Sequence, residues 1–156
     1  MTTPMGIFRT TIEIAPLHDA ADRRVLADVM VDTRSEYNWV PAELLNELGV
    51  APVRIDRFET ADGRILERKV GFALFFAVGR SSPAIAVFAE PGDMILLGAH
   101  GLEGMNLRVD LVRQELVPAG PIPAAFVSEK SFRRRAFQKR LDQRMQQIHL
   151  SDDGRV

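Results

Sequence analysis

A mainly β domain with one or two short helices, followed by a helical tail, is the fold class this sequence predicts. Three observations predict it. The apolar runs between residues 7 and 118 are short, and they alternate with polar residues or are rich in β-branched ones. Turn residues separate them, above all the Asp62-Gly63 pair lying between two strand patterns. A sustained helical stripe occurs only after the Gly120-Pro121 break, at Phe137, Leu141, Met145 and Ile148.

Taken in order, Ile7 to Ile14 alternates, with Phe8, Thr10, Ile12 and Ile14 on one face, which suits a half-buried strand. Val25 to Val31 is nearly continuous in apolar character, which suits a central strand; Asp28 interrupts it and needs an edge position or a hydrogen-bonding partner. Pro41 to Gly49 reads as a short helix, with Pro41 at its first position, Gly49 just past its end, and Leu44, Leu45 and Leu48 on one face. Val53 to Thr60 and Ile65 to Val78 flank Asp62-Gly63 as a hairpin, for which a type I′ turn needs positive φ at both central residues. Gly79 to Pro83 reads as a turn, Ala84 to Ala89 as a strand, and Glu90 to Asp93 as another turn. Met94 to Ala99 is an apolar strand closed by Gly98. A short helix from His100 to Met105 and a closing hairpin over 107–110 and 113–117 complete residues 1–118. Residues 119–125 are a linker, and residues 126–150 a basic amphipathic helix.

Bulk properties narrow the chemistry. The 156 residues suit one domain with a modest tail. A formal charge of -1 gives the whole chain no reason to seek nucleic acid or an anionic membrane. There is no cysteine, hence no disulfide framework, thiolate nucleophile or cysteine metal site. His18, His100 and His149 form no ligand spacing, so neither metal nor other cofactor is expected. No apolar run reaches membrane-spanning length, and Met1 to Gly6 lacks the blocks of a signal peptide, so a cytoplasmic location is expected. Between Lys130 and Arg144 lie seven basic residues and one acid, a net of +6 that leaves -7 for the remainder. The favoured reading of that segment is a solvated helix whose stripe, Phe137, Leu141 and Met145 included, packs on its own domain or on a partner subunit; contact with nucleic acid or an acidic partner is the lesser reading.

The stretch around which the domain is organised is Val29-Met30-Val31-Asp32-Thr33-Arg34-Ser35. A strand here delivers one carboxylate to its end and then turns. Taken alone it is an ordinary strand end with a capped turn. It resembles, however, the active-site segment of the retropepsin-like (retroviral-type) aspartic peptidases, in particular the bacterial single-domain aspartyl protease type: apolar residues, then Asp-Thr-Gly or Asp-Ser-Gly, then a small residue. Arg34 stands where that family has Gly. Pro41-Ala42-Glu43-Leu44-Leu45-Asn46-Glu47-Leu48-Gly49 is similar to a segment of the same bacterial proteins, and Leu96-Leu97-Gly98 resembles the second family signature. The order of Asp loop, short helix, Asp-Gly hairpin, Leu-Leu-Gly, short helix and final strands covers about three quarters of the chain.

The resemblance implies a closed acid-protease β-barrel. It implies Asp32 as catalytic residue, with Thr33, Arg34 and Ser35 as the catalytic loop. Glu36, Asp62, Gly63, Leu97 and Gly98 would contact substrate, with Asp62-Gly63 at the tip of a flap. Such peptidases need two carboxylates sharing one proton across a water. One Asp-Thr site without an internal repeat implies a homodimer contributing Asp32 twice, Thr33 bracing the two loops, and a peptide or protein substrate. Arg34 opposes this in three ways. It thickens the loop, it favours the charged form of both carboxylates, and it can pair with Asp32 or Glu36. Three functions therefore stand: an aspartic endopeptidase, active or weakened by Arg34; the same fold used without catalysis to bind a peptide or protein segment; and a small β-barrel interaction module acting through its basic tail.

Overall fold

A computed structural model describes residues 7–124 and 129–152. Two units make up the chain, Met1–Pro121 and Ile122–Val156. Among the described residues of the first, nine strands and two short helices follow one another: β1 (Ile7–Ala15), β2 (Arg24–Asp32), β3 (Asn38–Pro41), α1 (Ala42–Glu47), β4 (Arg54–Glu59), β5 (Ile65–Ala77), β6 (Arg80–Ala89), β7 (Leu96–Leu97), α2 (Ala99–Gly104), β8 (Leu107–Asp110) and β9 (Glu115–Pro118). The fold is mainly β. Seven strands form one sheet in the order β1-β2-β7-β3-β6-β5-β4, and an added β1–β5 pairing, Glu13 to Ala15 against Leu74 to Phe76, closes it into a barrel. β8 and β9 form a separate two-stranded sheet.

The alternation of β1 determines which face turns inward. Phe8, Ile12 and Ile14 are buried, and they join Val29, Val31, Leu45, Phe75, Leu97 and Met105 in one core. Two halves of β5 do different work: Ile65 to Val70 pairs with β4 as a hairpin arm, while Leu74 to Phe76 seals the barrel against β1.

Several expectations are corrected by tertiary pairing. β2 lies inside the sheet order, but only Val29 and Val31 are fully buried, and Val25 faces solvent. The reason is the shortness of β7, which pairs only Met30 and Val31 and leaves the first half of β2 with a single neighbour. Asp28 sits there in a β-bulge, where the register jumps between Thr10 and Ile12. Its φ is 60°, and the Arg9 guanidinium donates to its carbonyl at 3.1 Å. The Gly79–Pro83 stretch is not a turn. Val78 and Gly79 alone reverse the chain, with φ of 51° and 70°, and Arg80 already pairs with Ala77. This is the two-residue geometry with both central φ positive that was expected at Asp62-Gly63. Pro83 is tolerated inside β6 because it precedes the stretch, Ala86 to Ala89, that pairs with β3. Pro41 is the N-cap of α1 rather than its first residue, since it is still the last residue of β3; Gly49 follows the helix with φ 73°.

A bidentate ion pair fastens β5 to the turn before β7. Arg68 Nε and Nη2 donate to the two Asp93 oxygens at 2.7 and 2.9 Å, and the Glu90 backbone N–H donates to the same carboxylate at 2.8 Å. Arg68 hydrogen bonding holds the Asp93 carboxyl below its ordinary pKa against the opposing effect of burial. A carboxylate with a depressed folded pKa adds stability that is full above its unfolded value of about 4 and is lost as pH falls through the folded one. Asp93→Ala is expected to cost about 2 kcal/mol at neutral pH, because the Arg68 guanidinium loses its bidentate partner and keeps only Glu90, 3.5 Å away. The melting-temperature gap to wild type should shrink below about pH 4, and a gap independent of pH would refute this account.

In the second unit α3 spans Glu129–Asp152, with Arg133 donating to Glu129 at 2.6 Å. Residues 126–128 of the expected helix lie outside the described residues, as does the opening segment 1–6. On this helix the stripe residues Phe137, Leu141 and Met145 are 62%, 38% and 67% exposed. One apolar residue per turn, interleaved with Arg134 and Arg144, makes too narrow a face to be buried by this helix alone. Among the described residues no helix is long and apolar enough to cross a membrane.

Candidate active site

Asp32 is the last residue of β2, which runs parallel to β7 with Met30 opposite Leu96 and Val31 opposite Leu97. The chain then turns at once, and the Ser35 N–H donates to the Asp32 carbonyl at 3.1 Å. The loop is held from below by the start of α2. Ala99 and His100 donate their N–H groups to the carbonyls of Ser35 (2.8 Å) and Glu36 (3.1 Å). Helix-start N–H groups have no partner within the helix, so the loop carbonyls satisfy them. Gly98 makes this approach possible: a Cβ there would lie 2.6 Å from the Ser35 carbonyl oxygen and closer still to that of Tyr37.

Asn38 completes the brace. Its side chain is fully buried; Oδ1 accepts from the Gly98 N–H at 2.9 Å, and Nδ2 donates to the Ile85 carbonyl at 3.0 Å. One amide thus ties the returning loop to both β7 and β6. A buried amide needs such partners, and both its faces are used.

The carboxylate is occupied by its own loop. Arg34 Nε and Nη2 donate to the two Asp32 oxygens at 3.1 and 3.2 Å, and the Arg34 backbone N–H adds a bond of 3.0 Å to Oδ1. Asp32 is 16% exposed and Arg34 76%. Burial pushes the Asp32 pKa up, but the Arg34 hydrogen bonds and charge together outweigh it and hold the group below its ordinary value. Asp32 is therefore anionic, with both oxygens already accepting.

Facing this loop is the β4–β5 hairpin. Its tip is a five-residue loop, Thr60 to Arg64, rather than a two-residue turn; Gly63 alone takes a positive φ, 84°. Thr60 Oγ1 bonds the Asp62 carboxylate, and Arg64 Nε donates to Asp62 at 2.9 Å. Between hairpin and loop lies a groove of about 990 Å³. Asp32, Arg34, Ser35, Glu36 and Asp62 all line it, whereas Thr33, Gly63, Leu97 and Gly98 do not. The Leu97 side chain is buried in the core, and Gly98 is spent on the backbone approach.

The sequence reading missed the apolar wall of the groove. Tyr37 and Trp39 each pack edge-on against Phe58, with centroids 5.8 and 5.0 Å apart. Leu66, Met94 and Leu96 line the same space. A signal existed: the chain's one tyrosine and one tryptophan both follow Asp32 within seven residues. Among the described residues no group of His, Asp or Glu is arranged to hold a metal ion.

If the hairpin admits ligands, its tip must open. Amides at residues 61–64 are expected to exchange with solvent far faster than those of the barrel strands, for instance Phe75. Equal protection at both places would rule out a mobile arm.

No family model matches the chain, and no curated protein does. Among solved structures it is similar to the solution structure of the simian foamy virus (mac) protease, at 21% identity over 62% of this chain and 92% of that one, with a TM-score of 0.42.

Proposed function

We propose that this chain is a retropepsin-like aspartic endopeptidase acting as a homodimer, with Asp32 contributed by each protomer and Arg34 restraining it. The observation that carries the reading is the placement of Asp32: at a strand end, in a loop braced by Asn38 and α2, opening into a groove beneath a hairpin arm. In the pair, one Asp32 carboxylate takes a proton from the water, while the protonated partner polarises the scissile carbonyl. Thr33, exposed at the loop tip, is available to brace the second copy. Arg34 must leave Asp32 for a proton to be shared, because a guanidinium on both oxygens favours the anion. It is an exposed side chain with solvent as its alternative partner, so its release exposes nothing new.

The bidentate Arg34–Asp32 pair is also the observation that favours a second reading, in which the groove binds a peptide without cleaving it. The two are separated by assaying wild type and Asp32→Asn on a mixed peptide library at mildly acid pH, with sedimentation run in parallel. Cleavage by a dimer that Asp32→Asn abolishes is the expected result. A dimer that binds peptides and cleaves none overturns the peptidase reading, and a strict monomer removes the shared dyad.

A further inference from the structure

The charges around the groove say which peptides it takes. Its lining holds six carboxylates and three guanidinium groups. Every one of those arginines is already paired: Arg34 with Asp32, Arg64 with Asp62, and Arg57 with Glu67. Asp56 and Asp93 are paired in turn with Arg54 and Arg68, which stand outside the lining. Two carboxylates remain without a cationic partner among the described residues, Glu36 on the Asp32 loop and Glu59 at the end of β4. Both are exposed, and they belong to the two elements that face each other across the groove. Tyr37, Trp39 and Phe58 supply the apolar surface of the same space. Aromatic rings attract cations over their faces, and unpaired carboxylates attract them by charge.

We infer that the groove selects an extended peptide segment with lysine or arginine flanking an aromatic or aliphatic residue: the apolar residue lies on the Tyr37–Trp39–Phe58 wall, and the basic side chains meet Glu36 and Glu59. This rests on the reading of the groove as a peptide site. At neutral pH, with Arg34 still held on Asp32, an acidic peptide meets the two unpaired carboxylates and finds every groove arginine engaged. A neutral one gains only the apolar contact.

Trp39 is the chain's one tryptophan and lines the groove, so its emission reports binding directly, without any turnover. The probes are three capped hexapeptides built on Phe-Leu, flanked by lysine and arginine, by glutamine, or by glutamate, titrated into the full chain at neutral pH. The basic peptide is expected to bind about tenfold more tightly than the glutamine analogue at low salt, as two exposed charge pairs allow. That preference should fade at about 0.5 M salt, where exposed charges are screened. The ratio of basic-peptide to glutamine-peptide affinity should also fall at least about threefold in the Glu36→Gln, Glu59→Gln double variant. Equal binding of all three peptides, or tighter binding of the glutamate one, overturns the charge selection and leaves the peptide groove standing. No binding by any of them, with the double variant as silent as wild type, overturns both.

Discussion

Arg34→Gly is expected to raise peptide hydrolysis at mildly acid pH by about tenfold or more, and Asp32→Asn in that background to abolish it. The effect runs through the proton. In the wild-type chain the guanidinium bonds both Asp32 oxygens, and the carboxyl titrates below its ordinary value even though burial alone would raise it. An adjacent guanidinium lowers a carboxylate pKa by about one to three pH units, so its removal multiplies the protonated fraction by about ten or more. With Arg34 gone, burial dominates and the pKa rises. Bringing a second carboxylate close raises one member of the pair further, which is the state a proton-sharing dyad needs. Glycine also thins the loop at the place where the proposed dimer would bring two copies together. An amide at residue 32 can neither share the proton nor act on the water, so the double variant isolates the chemistry. A transition-state mimic that hydrogen-bonds to the paired carboxylates should bind the glycine variant more tightly than wild type. Wild-type activity that depends on Asp32 and disappears in Arg34→Gly would instead make Arg34 a working part of the site. Silence in every variant, with dimers intact, would leave the groove as a binding site.

What could be read from the sequence was whatever depends on near neighbours. The alternation of Phe8, Ile12 and Ile14 identified the inward face of β1, and Leu45 and Gly49 placed α1 within a residue or two. That Arg34 could pair with Asp32 was legible too, since two residues across a tight turn are within reach of each other. What was not legible depends on partners far away in the chain. The exposure of Val25 follows from the two-residue length of β7, some seventy positions on. Val78-Gly79 forms the two-residue turn because the β5–β6 register puts Ala77 opposite Arg80; by composition Asp62-Gly63 was the stronger turn signal. Tyr37, Trp39 and Phe58 form a wall only because β4 folds back across the Asp32 loop. Asn38 gave no hint of its role, as a single asparagine before an apolar pair is ordinary in any sequence.

Gly98→Ala should be among the most damaging single-methyl changes available in this chain. Gly98 has an extended backbone, φ -99°, which alanine adopts without strain, so any cost comes from space alone. The added Cβ would lie 2.6 Å from the Ser35 carbonyl oxygen and nearer still to that of Tyr37. Both obstacles are backbone atoms, and neither can rotate away. Either the Asp32 loop moves off β7 or β7 moves off the loop. Each movement breaks the bond from the Gly98 N–H to buried Asn38, and strains those from Ala99 and His100 to the loop carbonyls. Overpacking of this kind costs about 1–3 kcal/mol, and a lost bond to a buried amide adds about 1–3 more. Gly63→Ala is the contrasting control. Its φ of 84° disfavours alanine, yet nothing lies within 4 Å of the new Cβ, so only the backbone term of about 1 kcal/mol remains. Thermal melts of the two variants should therefore separate clearly, Gly98→Ala falling furthest. The Gly98 variant should also lose groove binding, read by Trp39 emission at temperatures where it is still folded, because the loop that carries Asp32, Glu36 and Tyr37 no longer sits on its brace. Gly98→Ala melting at or above Gly63→Ala, with peptide binding unchanged, would mean that the contact between the Asp32 loop and the Leu96-Leu97-Gly98 strand does not position the site.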